Sequence, residues 1–205
     1  MDSKTIIICI TGASGSGKTT FAKQLIASLP REQALLISQD SYYKDLSHLT
    51  AEERASQNFD HPDALDLELL KHQLTALKKG ESILQPTYDF DTHCRLNKNV
   101  QIHPKKIIIV EGTLILSQTN LHNLYDIIIY VDLDQKTCLE RRIRRDVAER
   151  GRTKESVIEQ YNKTVKPMFE TFIYPNKKIA QIIIPGANNN KFIMPILKKI
   201  KNSLQ

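Results

Sequence analysis

The eight residues Gly12-Ala13-Ser14-Gly15-Ser16-Gly17-Lys18-Thr19 constrain this chain more than any others. They fit the pattern G-x-x-x-x-G-K-[ST] in full. An apolar run from Thr5 to Ile10 precedes them, and an amphipathic stretch from Lys18 to Leu29 follows. A strand that turns through glycines into a helix leaves backbone N–H groups and the helix dipole aimed at one spot, where an anion is held. In such a loop residues Gly12, Ala13, Ser14, Gly15, Ser16 and Gly17 wrap phosphates. Lys18 reaches the β- and γ-phosphates, and the Thr19 hydroxyl ligates Mg²⁺. Thr20 extends the same surface into the first helical turn.

The rest of the chain repeats the strand-then-helix rhythm. Runs rich in Ile, Val and Leu recur at Ala34 to Ser38, Ile107 to Val110, Asp126 to Val131 and Gln181 to Ile184. Their continuous apolar character predicts parallel strands covered on both faces. Helical patterns fall at Asp66 to Lys79, Gln135 to Glu149 and Lys154 to Thr171. A basic helix is expected over Asn190 to Leu204, with Pro195 in its first turn or kinking it. This alternation predicts an α/β fold with an open, mostly parallel five-stranded sheet flanked by helices. At 205 residues the chain is expected to form one domain. Glu81 to His103 breaks the rhythm. Its β-prone halves flank Leu96-Asn97-Lys98-Asn99, which reads as the turn of a small β-hairpin insertion.

Composition narrows the partners. Hydrophobic residues make up 40% and charged residues 25%, ordinary globular usage. No apolar run approaches the roughly 20 residues of a membrane-spanning helix, and the first residues lack a signal-peptide layout. Cys9, Cys94 and Cys138 are odd in number and far apart, which suggests reduced thiols. The expectation is a soluble, cytoplasmic protein with no membrane partner. The net charge of +6 favours an anionic ligand without requiring nucleic acid, and no nucleic-acid partner is expected.

In an open α/β sheet, ligands lie beyond the carboxyl ends of the strands. Asp40 follows one strand, in the polar and aromatic run Asp40-Ser41-Tyr42-Tyr43, and reads as a general base beside an acceptor site. Glu111 follows another and precedes Gly112, expected to permit close approach of a ligand. Glu111, with Thr19 and Asp40, forms the expected metal surroundings. Asp132 also ends a strand, but reads as capping the next helix. The arginine-rich stretch from Arg141 to Arg152 suits transferring phosphates, since forked guanidinium groups match them in geometry and charge. Arg142, Arg145 and Arg150 are the expected contacts, and Gly151 an expected hinge for a lid.

Together these residues resemble the uridine kinase (uridine–cytidine kinase) family in its bacterial form. Ser38-Gln39-Asp40-Ser41-Tyr42-Tyr43 is similar to the family's catalytic-aspartate segment. Phe59-Asp60-His61-Pro62-Asp63 resembles its nucleoside-binding stretch, and Pro86-Thr87-Tyr88-Asp89-Phe90 with His93 and Arg95 its base-recognition hairpin. The resemblance runs from about Ile6 to Pro185. It implies a single P-loop NTPase fold domain with an arginine-rich helical lid at about 141–165. The implied reaction transfers the γ-phosphoryl of ATP or GTP, with Mg²⁺, to the 5′-hydroxyl of uridine or cytidine. Asp40 would take the hydroxyl proton, with Lys18, Arg142 and Arg145 as further catalytic residues. Asp60, Arg142 and Gln160 would hold the ribose hydroxyls. Tyr43, Phe59, Tyr88 and Phe90 would face the pyrimidine, His93 would bond its edge, and Arg152 would touch base or sugar. The resemblance also implies a homotetramer and feedback inhibition by pyrimidine triphosphates. Gln181, Gly186 and Pro195 depart from the family pattern. Two other readings remain: a phosphoribulokinase-like kinase of a phosphorylated sugar, which predicts basic residues in place of the aromatics, and a non-catalytic nucleotide-binding regulator.

Overall fold

The computed structural model describes residues 5–204. Strand β1 (Ile6–Gly12) leads into helix α1 (Lys18–Ala27), then β2 (Ala34–Ser38), a short α2 (Ala51–Ala55) and α3 (Leu67–Lys78). A hairpin of β3 (Ile83–Asp89) and β4 (Cys94–Ile102) follows, and β5 (Ile107–Glu111) returns to the sheet. Then come α4 (Thr119–His122), β6 (Ile127–Asp132), α5 (Gln135–Arg150), α6 (Lys154–Gln160), α7 (Lys166–Met168), β7 (Ile182–Pro185) and α8 (Ile193–Ser203). The main sheet has the order β2-β5-β1-β6-β7, and every pair in it is parallel.

The five expected strands are therefore present, with β1 at the centre. Ile8 stands opposite Ile109 on one side and Ile127 on the other. Alternate residues of β1 enter two separate cores. Ile7 and Cys9 pack under α3 with Leu70, Leu74 and Leu77, whereas Ile6, Ile8 and Ile10 pack with Phe21 and Leu25 of α1 and Ile196 and Ile200 of α8. Burial on both faces explains why the strand reads as continuous Ile rather than as an alternation. The chain leaves β1 toward β2 on one side and later crosses to β6 on the other, so the end of β1 is the switch point where ligands bind in such sheets.

Three local expectations are corrected. The hairpin turns at Phe90–His93, not at Leu96–Asn99, which lie inside β4. Asp89 makes this turn: its carboxylate accepts from the Asp91 N–H (3.0 Å) and the Thr92 hydroxyl (2.7 Å), and His93 closes it at φ 55°. A short polar side chain bonding its own backbone outweighs an asparagine-rich run that can sit on an exposed strand. The segment from Lys154 to Thr171 is not one regular helix. Two wide π turns, Tyr161–Val165 and Phe169–Ile173, flank α7, where Pro167 cannot donate to the carbonyl one turn back. Asp132 does not cap α5. It ends β6 and pairs with Lys177 (2.8 Å), while Asp134 accepts from the Thr137 N–H (2.8 Å) as the cap. Pro195 sits in the first turn of α8, where a missing N–H is tolerated.

Asp134→Ala should therefore cost about 1 kcal/mol of stability in urea unfolding, the usual worth of an N-cap. Asp132→Ala removes only a half-exposed ion pair and should cost less; the reverse order would return the cap to residue 132.

Candidate functional site

The phosphate loop takes the form its glycines predict. Gly15 and Gly17 have φ of 83° and 94°, values that side chains rarely adopt. At Gly15 a Cβ would stand 2.4 Å from the Cys138 carbonyl oxygen of α5, so the loop is pressed against that helix. Ser16 is fully buried, and its hydroxyl has no partner within the protein. Lys18 is half-buried and lines the cleft above the loop. Burial lowers its pKa, and Glu111 and Asp40 oppose that shift. The cleft above the loop measures about 690 Å³ and is walled by Arg141 and Arg145 of α5 and by the 186–190 segment.

The metal surroundings come from two strand ends. Glu111 is 4% exposed, and its two carboxylate oxygens accept from the Thr19 hydroxyl (2.9 Å) and the Ser38 hydroxyl (2.7 Å). Ser38 Oγ also accepts from the Asp40 N–H (3.3 Å), so one serine ties the two acids together. Among the described residues no cluster of three or more His, Cys, Asp or Glu forms a metal cage. That donor set fits Mg²⁺, which binds through one or two oxygen ligands and substrate phosphates rather than an all-protein cage. Gly112 serves another purpose than expected: a Cβ there would lie 2.4 Å from Gln39, whose amide oxygen accepts from the Leu114 N–H (2.6 Å). Its close approach is to Gln39, not to a ligand.

Asp40 lines the phosphate cleft and also a second cavity of about 280 Å³ formed with Pro86, Tyr88, Phe90 and Val100 of the hairpin. Although it faces the open cleft, the protein packed around it raises its pKa, as does Glu111, while Lys18, Arg150 and Arg145 pull it down. The four expected aromatics come together around Tyr43. Its ring lies 5.8 Å from Phe59, 5.1 Å from Tyr88 and 6.1 Å from Phe90. His93 stacks on Phe59 at 4.4 Å, and its Nδ1 is buried without a partner. Burial lowers the His93 pKa, assisted by Arg54 of α2. Arg95 fastens the hairpin, donating to the Tyr43 carbonyl (2.8 Å) and to Asp66 (3.2 Å).

Arg142 joins the two regions. Only 6% exposed, it donates to the Ser14 hydroxyl (3.0 Å) and the Gln160 amide oxygen (3.1 Å), and lies 3.7 Å from Asp60. Gln160 also accepts from Arg152, and Thr164 donates to Asp60 (3.1 Å). Arg145 faces the phosphate cleft as expected. Arg150 lies elsewhere, 6.0 Å over the Phe90 ring on the hairpin side. Gly151 ends α5 at φ 60°, a helix stop. Several contributors escaped the sequence reading. Arg141 donates to the Gly186 carbonyl (2.9 Å) and so holds one wall of the cleft. Ser38 and Thr164 position acids, and Asp146 lies fully buried among the arginines. Thr164 follows Gln160 by four residues, a spacing that could have marked it.

A P-loop kinase is the class this fold and site define. The family model described as "Phosphoribulokinase / Uridine kinase family" matches residues 7–192, and the chain belongs to that family. It is 50% identical to a uridine kinase of Clostridium novyi over 202 residues, covering 98% of this chain and 97% of the relative. It is 46% identical to a uridine kinase of Streptococcus gordonii over 206 residues, covering 100% and 98%. The fold also matches the solved phosphoribulokinase of Rhodobacter spheroides at a TM-score of 0.67 and 19% identity, over 92% of this chain and 74% of that one. Among the described residues no helix is long and apolar enough to cross a membrane.

Gly15→Ala tests the loop. The side chain needs both a disfavoured φ and displacement of the α5 backbone, costs on the order of 1–3 kcal/mol for the φ alone. Affinity for Mg-ATP should fall at least about tenfold and the melting temperature should drop; unchanged ATP affinity would contradict the loop geometry.

Proposed function

We propose that this chain transfers the γ-phosphoryl of a nucleoside triphosphate, ATP or GTP, to the 5′-hydroxyl of uridine or cytidine, yielding UMP or CMP in pyrimidine salvage. The observation that carries the reading is that Asp40 lines both the phosphate cleft and the cavity it forms with Tyr88 and Phe90 of the hairpin. A base at that junction can meet a hydroxyl from one side and a phosphoryl group from the other. The near-full-length identity to relatives named uridine kinase supports the acceptor. Aromatic rather than basic lining disfavours a phosphorylated sugar.

In the reaction so assigned, the loop N–H groups and Lys18 hold the triphosphate. Thr19, Glu111 and Asp40 would hold Mg²⁺, which would supply neutralisation of charge on the phosphate oxygens. Asp60, Arg142 and Gln160 hold the ribose 2′- and 3′-hydroxyls. A deoxyribose offers these groups one hydroxyl fewer and should be the poorer substrate. Tyr43, Phe59, Tyr88 and Phe90 offer the base flat apolar surfaces, and His93, stacked on Phe59, is assigned to its edge. Arg152, through its bond to Gln160, sits beside the sugar. The 5′-oxygen attacks the γ-phosphorus as its proton passes to Asp40. The bond from phosphorus to the β–γ bridging oxygen breaks, and the nucleoside diphosphate leaves. Arg145 faces the charge that develops. Arg150 belongs with the hairpin wall rather than the donor. The free thiols of Cys9, Cys94 and Cys138 support a cytoplasmic setting. A homo-oligomer, with the tetramer of the resembled family, completes the reading.

A coupled assay with Mg-ATP should show turnover of uridine and cytidine, with little on deoxyuridine, adenosine or ribulose 5-phosphate. Turnover of the sugar phosphate alone would overturn the acceptor, and silence on all five from folded, ATP-binding protein would favour the regulator.

Asp40→Asn should lower kcat at least about 100-fold, the scale of general-base catalysis, with ATP binding retained. Because the Asp40 pKa is raised, the acid limb of kcat/KM should lie above the ordinary aspartate value near 3.8, activity being lost as pH falls through it. Near-normal kcat in the Asn variant would remove Asp40 from the mechanism.

A further inference from the structure

Asp146 takes part in neither substrate site, yet four arginines converge on it. Its side chain is 0% exposed. Arg145 donates to Oδ1 through Nε (2.8 Å), and one of its terminal nitrogens lies 2.8 Å from the same oxygen. Arg142 Nε lies 3.5 Å from Oδ2, a terminal nitrogen of Arg150 lies 3.6 Å from Oδ1, and one of Arg152 lies 3.9 Å from Oδ2. The distribution is uneven. Arg145 is bonded to Oδ1, whereas Asp146 Oδ2 and Arg142 Nε are both buried without a hydrogen bond and face each other. A buried carboxylate oxygen opposite a buried guanidinium N–H at that distance is an interaction waiting to close.

The two arginines concerned belong to different ligands. Arg145 walls the phosphate cleft, and Arg142 touches Ser14 on the phosphate loop and Asp60 and Gln160 beyond it. We propose that Asp146 is a positioning residue that couples the two sites by exchanging arginines. Triphosphate draws Arg145 off Asp146, the freed carboxylate takes up Arg142 Nε, and Arg142 is thereby fixed toward Asp60 and Gln160 to receive the nucleoside. The proposal rests on the assignment of donor and acceptor sites made above. By linkage, donor binding then strengthens nucleoside binding and the nucleoside strengthens donor binding by the same factor.

Calorimetric titration of uridine, with and without a saturating non-hydrolysable Mg-ATP analogue, tests this. The wild-type protein should bind uridine at least about fivefold more tightly with the analogue, the lower end of ordinary site-to-site coupling. In Asp146→Asn that ratio should fall to within about twofold of one. Arg145→Met gives a second reading if the Asn variant does not fold. With Arg145 gone, Asp146 is already free for Arg142, so uridine affinity without the analogue should rise to the wild-type level seen with it. A purely structural role for Asp146 would not make a variant at Arg145 bind uridine more tightly. Retained coupling in Asp146→Asn, or weaker uridine binding in Arg145→Met, would overturn the exchange. Wild-type protein that binds both ligands without coupling would overturn it alone, whereas protein that binds neither would overturn the site assignment and the exchange with it.

Discussion

Everything in this molecule is arranged around a turn that presents uncompensated backbone N–H groups at the end of a buried strand. β1 has no exposed face, and its last residue leads into glycines at positive φ that no other residue adopts cheaply. The loop must be clamped to stay in that form. The clamps are α5, whose Cys138 carbonyl lies against Gly15, and the loop after β7, where a Cβ on Gly186 would stand 2.3 Å from the Ser16 carbonyl. Sheet order follows from the same need. Placing β5 and β6 on either side of β1 brings Glu111 and the start of α5 to the turn from opposite directions. A triphosphate bound there meets one acid and one arginine helix.

The second constraint is electrostatic. Lys18, Arg141 and Arg145 line one cleft, with Arg142 buried behind the loop, and these cations repel one another before any anion arrives. Burial alone disfavours the charge on Lys18 and on Arg142, and the acids Glu111, Asp60 and Asp146 offset it. Each acid is also fixed in place: Glu111 by Thr19 and Ser38, Asp60 by Thr164, Asp146 by its arginines. The site is thus pre-organised for incoming negative charge, which lowers the reorganisation needed when the phosphoryl group moves.

Much of this was legible in the residues. The five strands, the phosphate loop and the strand-end acids could be read because each depends on local pattern: continuous apolar runs, a glycine motif, an acid after a strand. The resemblance to uridine kinases added Asp60, Gln160 and the aromatic hairpin, which no periodicity would have joined. What stayed hidden depended on partners distant in sequence or on competition between local signals. The hairpin turn went to Asp89 because two side-chain hydrogen bonds outweigh an asparagine run. Gly112 looked like a ligand contact, yet it faces Gln39 from another strand end. Asp146 sits unremarked within the arginine-rich stretch, and only the fold shows that it is buried with Arg142.

The central claim is that a donor in the loop cleft and an acceptor beside the hairpin meet at Asp40 and react directly. The stereochemical course at phosphorus tests it most plainly, using uridine and a nucleoside triphosphate made chiral at the γ-phosphorus with oxygen isotopes. A single in-line displacement inverts the configuration, and inversion is the result predicted here. Retention would mean two displacements through a phosphorylated protein residue, and would contradict direct transfer at Asp40.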